Sequence, residues 1–180
     1  MKSQPVISVI VAVHNRVEVI QRCISSVLLQ TYPYVELIVI DGGSTDGTVS
    51  ILNANNERIH YWESQPDRGI YHAFNKGVQQ ATGDWLYFLG SDDYFHDPSS
   101  LLKVASYLSN IDARMYKVVY GKVSLVSALG NCVDEINKPW KVVKKKFLQG
   151  CYICHQGVFQ HRNLFESHGK LDESFKISGV

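Results

Sequence analysis

Three aspartates stand where apolar runs stop. Asp41 follows Val35 to Ile40 in VIDGGSTDGT, and Asp92 and Asp93 follow Trp85 to Leu89 in FLGSDD. Short, unbroken apolar runs of this kind read as strands buried on both faces. In an open α/β sheet, ligands settle in the crevice beyond the carboxyl ends of the strands, so carboxylates released there are placed to do chemistry. A lone carboxylate such as Asp41 can accept the imide N–H of a pyrimidine base, or it can cap the helix that follows. Asp92 and Asp93 offer the hard oxygens that Mg²⁺ or Mn²⁺ prefers, in the number such an ion takes when phosphates complete its shell. The alternative for that pair is a solvated acidic turn. Read for chemistry, the three groups can hold a nucleoside at one end and a metal-bound diphosphate at the other.

Smaller signals surround them. Val13, His14, Asn15 and Arg16 lie at the exit of the first apolar run, beside the same expected crevice. Gly42 and Gly43 let the backbone turn tightly and approach a ligand, while Ser44 and Asp46 suit a turn and a cap. Asp67, Arg68 and Gly69 precede a helical pattern. There a guanidinium and helical N–H groups can offset diphosphate charge or orient a base; otherwise the triplet is an exposed turn. Cys151, Cys154 and His155 spell C-x-x-C-H, the attachment pattern of c-type haem. That chemistry needs an oxidising compartment, and no export signal is read at the N-terminus. Zinc through these residues and His161 lacks a well-spaced second pair.

The elements that would carry these groups alternate along the chain. Val6 to Val13 reads as a strand, then Ile20, Cys23, Ile24, Val27 and Leu28 recur at helical spacing until Tyr32-Pro33. VELIVI is a second strand, and Thr45 or Asp46 caps a helix through Val49 and Leu52. Arg58 to Glu63 is a third strand; Ile70, Phe74, Val78 and Ala81 mark a helix that Gly83 stops. WLYFL is a fourth strand, and Asp97-Pro98 opens a helix carrying Leu101, Leu102, Ala105 and Leu108. This alternation predicts an α/β fold with a mostly parallel sheet. From Met115 the pattern changes: MYKVVYGKVSLV is extended, Gly130-Asn131 offers a turn, and Asn163 to His168 is a short helix stopped by Gly169. The second half reads as a smaller α+β extension of the same domain.

Bulk properties fit that architecture. The 180 residues are 45% hydrophobic, enough for one compact domain with its own core. Lys plus Arg number 18 against 17 Asp plus Glu, so no global field calls for nucleic acid. The basic run Lys144 to Lys146 is a solvated face or a contact for an anionic acceptor or lipid. No apolar run approaches the ~20 residues of a membrane helix, which leaves peripheral docking open. The cysteines are expected as free thiols in a reducing cytosol.

Taken together, SVIVAVHNR (Ser8 to Arg16), VIDGGSTDGT (Val39 to Thr48), PDRGIYHAFNKG (Pro66 to Gly77) and FLGSDD (Phe88 to Asp93) resemble the family 2 glycosyltransferases, whose fold is called GT-A. The resemblance covers essentially the whole chain. It implies a Rossmann-like sheet with residues 1–95 as the nucleotide-sugar-binding half and 96–180 as the acceptor-side half. It further implies a donor, usually a UDP-sugar, bound by Val13, His14, Asn15, Arg16, Asp41, Gly42, Asp67, Arg68, Ser91 and Asp92. Asp41 would meet the base, Asp92 the ribose, and Asp93 with Asp92 a Mg²⁺ or Mn²⁺ ion. CHQGVFQHR resembles a segment near the donor pocket, making His155 an acceptor or phosphate contact or else a structural histidine. The chain departs from the family in three places: His14 stands where a tyrosine is usual, Gly90 where many members carry an acidic residue, and His72 where relatives often have an aspartate. Reaction by inversion onto a hydroxyl of a saccharide or lipid-linked acceptor is implied, in bacterial surface polysaccharide synthesis at or near the inner membrane face. The general base that removes the acceptor proton would fall, by register after LDESFKI, at Val180, which has no proton-accepting group. A nucleotide-sugar-binding module without turnover is therefore the alternative.

Overall fold

The computed structural model describes residues 4–127, 129–145 and 153–175. Lys146, Cys151 and Val180, which the sequence reading singled out, lie outside the described residues.

The first half alternates as its apolar periodicity predicts: β1 (Ile7–Val13), α1 (Ile20–Leu28), β2 (Val35–Asp41), α2 (Thr48–Ala54), β3 (Tyr61–Ser64), α3 (Ile70–Gln80), β4 (Trp85–Gly90) and α4 (Ser100–Leu108). Then come β5 (Val118–Tyr120), β6 (Val123–Val126), β7 (Cys132–Ile136), α5 (Trp140–Val143), a 3₁₀ turn at His155–Gly157, β8 (Val158–His161) and α6 (Asn163–His168). The main sheet has the order β3-β2-β1-β4-β8-β5, and β6 with β7 forms a separate two-stranded ribbon. β1 pairs in parallel with β2 and with β4, and β2 with β3. β8 runs antiparallel to both β4 and β5.

β1 is central and covered on both faces, which is why its sequence is nearly all Val and Ile. Its alternate residues face opposite layers. Ile7, Val9, Val11 and Val13 pack with Ile20, Cys23, Ile24 and Val27 of α1, Leu52 of α2 and Leu101, Ala105 and Leu108 of α4. Ile10 joins Ile38, Ile40, Leu86 and Phe88 against Ala73 and Phe74 of α3. Each such side chain stabilises the fold by about 1.5–3 kcal/mol when fully buried. Gly77 sits where α3 crosses Ile10, and any Cβ there would run into that side chain.

Several local expectations shift. β3 begins at Tyr61 rather than Arg58. Gly83 does not cap α3, which ends at Gln80; a Cβ on Gly83 would lie 2.8 Å from the Val6 carbonyl and 2.9 Å from the Ser8 amide, so close backbone approach is what requires glycine. Asp97 accepts from the Ser99 amide at 2.7 Å, one turn ahead of a helix that starts at Ser100. Asp46 does act at the start of α2, accepting from the Thr48 amide at 2.9 Å. The turn at Gly130 (φ 79°) joins β6 to β7, and Gly169 (φ 86°) ends α6.

At the sheet edge away from the carboxyl ends, Glu36 is buried and satisfied. It accepts from Ser8 Oγ at 2.7 Å, the Thr82 amide at 2.9 Å, the Gly83 amide at 3.2 Å and the Thr82 hydroxyl. Burial alone would raise its carboxyl, but the hydrogen bonds from Thr82 and Ser8 outweigh it and hold the group below the ordinary 4.5.

Candidate functional site

Parallel pairing puts the exits of β1, β2 and β4 on one edge, with Val13 beside Asp41 and Ala12 beside Gly90. Because β2 and β4 flank β1, Asp41 and Gly90 stand about 10 Å apart, two strand spacings. The chain moves from β1 to β2 on one side and places β4 on the other, which makes this edge a topological switch point.

The β1 exit is tied to the loop after β2. Asn15, at φ 51°, donates its amide to Ser44 Oγ at 2.7 Å and accepts the Thr45 amide on its side chain at 2.9 Å. The Arg16 amide donates to Thr48 Oγ1 at 3.0 Å and the Val17 amide to Asp46 at 2.9 Å. His14 and Asp67 meet over Gly42, where a Cβ would lie 2.7 Å from Asp67 Oδ2 and 3.4 Å from His14 Nδ1. Two other segments therefore converge on Gly42.

Asp41 is not the lone carboxylate expected. It is fully buried, and its oxygens accept from the Ser44 amide at 2.8 Å, the Gly43 amide at 3.1 Å, Ser64 Oγ at 2.6 Å and the Ser44 hydroxyl. A buried carboxylate must be satisfied, and four donors saturate its lone pairs. A ligand N–H can reach it only by replacing a serine hydroxyl. Ser64, at the end of β3, carried no signal in the sequence because it meets Asp41 only once β2 and β3 pair.

After β4 the chain turns tightly, the Asp93 amide donating to the Gly90 carbonyl at 3.0 Å. A Cβ on Gly90 would stand 2.6 Å from Asp93 Oδ2 and 3.1 Å from Asp92 Oδ1. The absent side chain is thus what lets both carboxylates converge. Arg22 secures the turn, donating to the Asp92 carbonyl at 3.2 Å and lying 4.4 Å from the Tyr94 ring centroid. Ser91 is buried, Asp92 exposed and Asp93 half-buried. Burial and then the charge of Asp92 raise the Asp93 carboxyl, while His155 and a hydrogen bond with Gln156 draw it down. Two carboxylates held together with one partly desolvated form a site that a divalent cation would relieve. Among the described residues no group of three His, Cys, Asp or Glu could hold a metal.

Beneath the turn, Cys23 donates to the Gly90 carbonyl at 3.5 Å, and burial, with Asp93 and Asp92, pushes its thiol up to about 12. It stays a neutral donor. The Tyr87 hydroxyl donates to the Gln156 carbonyl, fixing the 3₁₀ turn that brings His155 and Gln156 to Asp93. Gln156 is a second residue that sequence reasoning passed over in favour of its neighbour.

His155 also lines a cavity of about 700 Å³ with Tyr71, Phe74, Phe88, Ile136 and Leu171. Asp41, Asp92 and Asp93 do not line it; they stand at the carboxyl ends of β2 and β4. Arg68 differs from expectation as well. Its guanidinium is paired with Glu173 at 2.6 Å.

A sequence model described as glycosyl transferase family 2 matches residues 8–161. The chain is 33% identical over 177 residues to a PGL/p-HBAD biosynthesis glycosyltransferase of Mycobacterium bovis (strain BCG / Pasteur 1173P2), covering 96% of this chain and 66% of that relative. The chain thus spans about two thirds of that relative's length. S. aureus TarS 1-349 in complex with UDP superposes with a TM-score of 0.74 at 22% identity, over 96% of this chain and 52% of that one. A mannosyltransferase from Pyrobaculum calidifontis in complex with GDP-Man and Mn²⁺ gives 0.69 at 18% identity, over 95% and 48%. The likeness to these structures establishes the GT-A fold.

Proposed function

The chain belongs to glycosyl transferase family 2, and on that premise we propose that it binds a UDP-sugar and serves transfer of the hexosyl group, with inversion, to an acceptor hydroxyl. The observation that carries this reading is the meeting of Asp92 and Asp93 over Gly90, two strands from the base-end cluster of His14, Gly42 and Asp67. In this reading residues 1–95 hold the donor and 96–180 face the acceptor.

Val13, His14, Asn15, Arg16, Gly42 and Asp67 line the base end, and Asp41 takes the base N–H after Ser44 or Ser64 gives way. Ser91 and Asp92 meet the ribose. Asp93, with Asp92, would hold Mg²⁺ or Mn²⁺, which stabilises charge on the departing diphosphate. His155, beside Asp93, meets phosphate or the incoming hydroxyl. The aromatic cavity next to it suits the apolar part of a lipid-linked or substituted saccharide acceptor. The mycobacterial relative's name supports a biosynthetic role, which we assign to surface polysaccharide assembly on the cytoplasmic side, with docking at the inner membrane face.

In-line attack needs a base near the acceptor oxygen. By register after LDESFKI that base falls at Val180, which takes no proton. The second reading is a donor-binding module without turnover. Calorimetric titration with UDP checks the shared core of both: binding should require Mn²⁺ and weaken tenfold or more in Asp93→Ala. Absence of binding, or binding unchanged in that variant, refutes the site.

A further inference from the structure

The loop before α3 splits its two charged side chains between two halves of the molecule. Asp67 turns toward Gly42 and His14, and its Oδ1 accepts the Gly69 amide at 2.8 Å. Arg68 turns the other way, to Glu173. That carboxylate is held at both oxygens by different donors. Oε2 takes Arg68 Nη2 at 2.6 Å, and Oε1 takes Asn75 Nδ2 at 3.1 Å.

Asn75 is the anchor of this arrangement. It is 2% exposed, donates to the Leu171 carbonyl at 2.9 Å and accepts the Leu171 amide at 2.9 Å, so its amide group copies a backbone pairing with the 171–173 segment. Glu173 is therefore placed by a buried contact on α3, and Arg68, with a 69% exposed side chain, is placed by Glu173. An exposed ion pair by itself contributes little to stability. Its value here is orientation. A guanidinium carries five N–H donors in a rigid fork, and those not used by Glu173 stay available beside Asp67.

We infer that Glu173 is a positioning residue for the nucleotide donor: fixed by Asn75, it sets the direction of Arg68 and steadies the Asp67–Gly69 loop at the base end of the site. The inference rests on the donor reading above and names a residue that the acceptor-side half contributes to donor binding. It explains why an arginine and a glutamate 105 positions apart are brought together at the mouth of α3. A long, flexible cation beside an anionic ligand gains most when its rotamer is chosen in advance.

Titration of the full 180-residue chain with UDP and Mn²⁺ tests this, using wild type, Arg68→Ala, Glu173→Ala, Glu173→Asp and the Arg68→Ala/Glu173→Ala pair. Each single alanine variant should weaken UDP about fivefold, and the double variant should bind no more weakly than Arg68→Ala, because the two residues act as one unit. Glu173→Asp should recover part of the loss. Thermal midpoints should fall by only a few degrees and should not track the affinities, which separates orientation from general loosening. Wild-type binding with Glu173→Ala unchanged, or losses that multiply in the double variant, overturns the positioning role alone. If the wild-type chain binds no UDP, the donor reading fails and this role falls with it.

Discussion

At the scale of single residues, the site is governed by what glycine leaves out. Asp92 and Asp93 come together only because Gly90 has no Cβ, and the cost is a raised Asp93 carboxyl, from burial first and from Asp92 second. A carboxyl whose folded value is raised stabilises the fold only while protonated; that contribution is lost as pH rises through the folded value. Asp93→Asn should therefore raise the thermal midpoint of the ligand-free protein at neutral pH by roughly 1–4 °C, read by calorimetry. Gly90→Ala should leave the fold intact, since the atoms in its way end short side chains, yet should weaken Mn²⁺-dependent UDP binding severalfold. Unchanged binding in that variant would detach the glycine from the site. The positions of these groups were legible in the sequence, because a run of apolar residues ending in Asp reads directly. Their partners were not. Ser64 reaches Asp41 across 23 positions and Glu173 reaches Arg68 across 105, separations that only packing closes.

At the scale of elements, β1, β2, β4, α1 and α3 were readable because burial on one or both faces writes a period into the sequence. The antiparallel entry of β8 was not, since FQH carries no direction and pairing with β4 is decided by the whole sheet. Nor was the role of Gly83, which looks like a helix stop and is in fact a point of contact with β1. That contact adjoins Glu36, which clamps β1, β2 and the α3–β4 connection. Its folded carboxyl lies below the ordinary 4.5, so its contribution is full above that value and lost as pH falls through the lower one. Glu36→Gln should lower the midpoint at neutral pH and flatten the decline of stability as pH falls below the ordinary 4.5. A variant with the wild-type acid profile would show that Glu36 is not part of the acid response.

At the scale of the whole molecule, burial is uneven. β1, β2 and β4 carry residues at or near zero exposure, whereas the β6–β7 ribbon has exposed Leu125, Val126, Leu129 and Val133. Hydrogen exchange followed by mass spectrometry should show amides of β1, β2 and β4 opening only with global unfolding and those of residues 123–136 opening far sooner. Equal protection in both regions would contradict this division.

The reversed direction of β8 has a consequence for change over time. β5 and β8 pair with each other at the edge beyond β4, and the chain between them carries the β6–β7 ribbon as a sheet of its own, so from the standpoint of β1 through β4 that ribbon is an appendage. Such a ribbon can be lengthened, shortened or rewritten without moving β1, β2 or β4. In the reading proposed above, specificity for what receives the sugar is then free to diversify while the residues at the ends of β1, β2 and β4 stay the same.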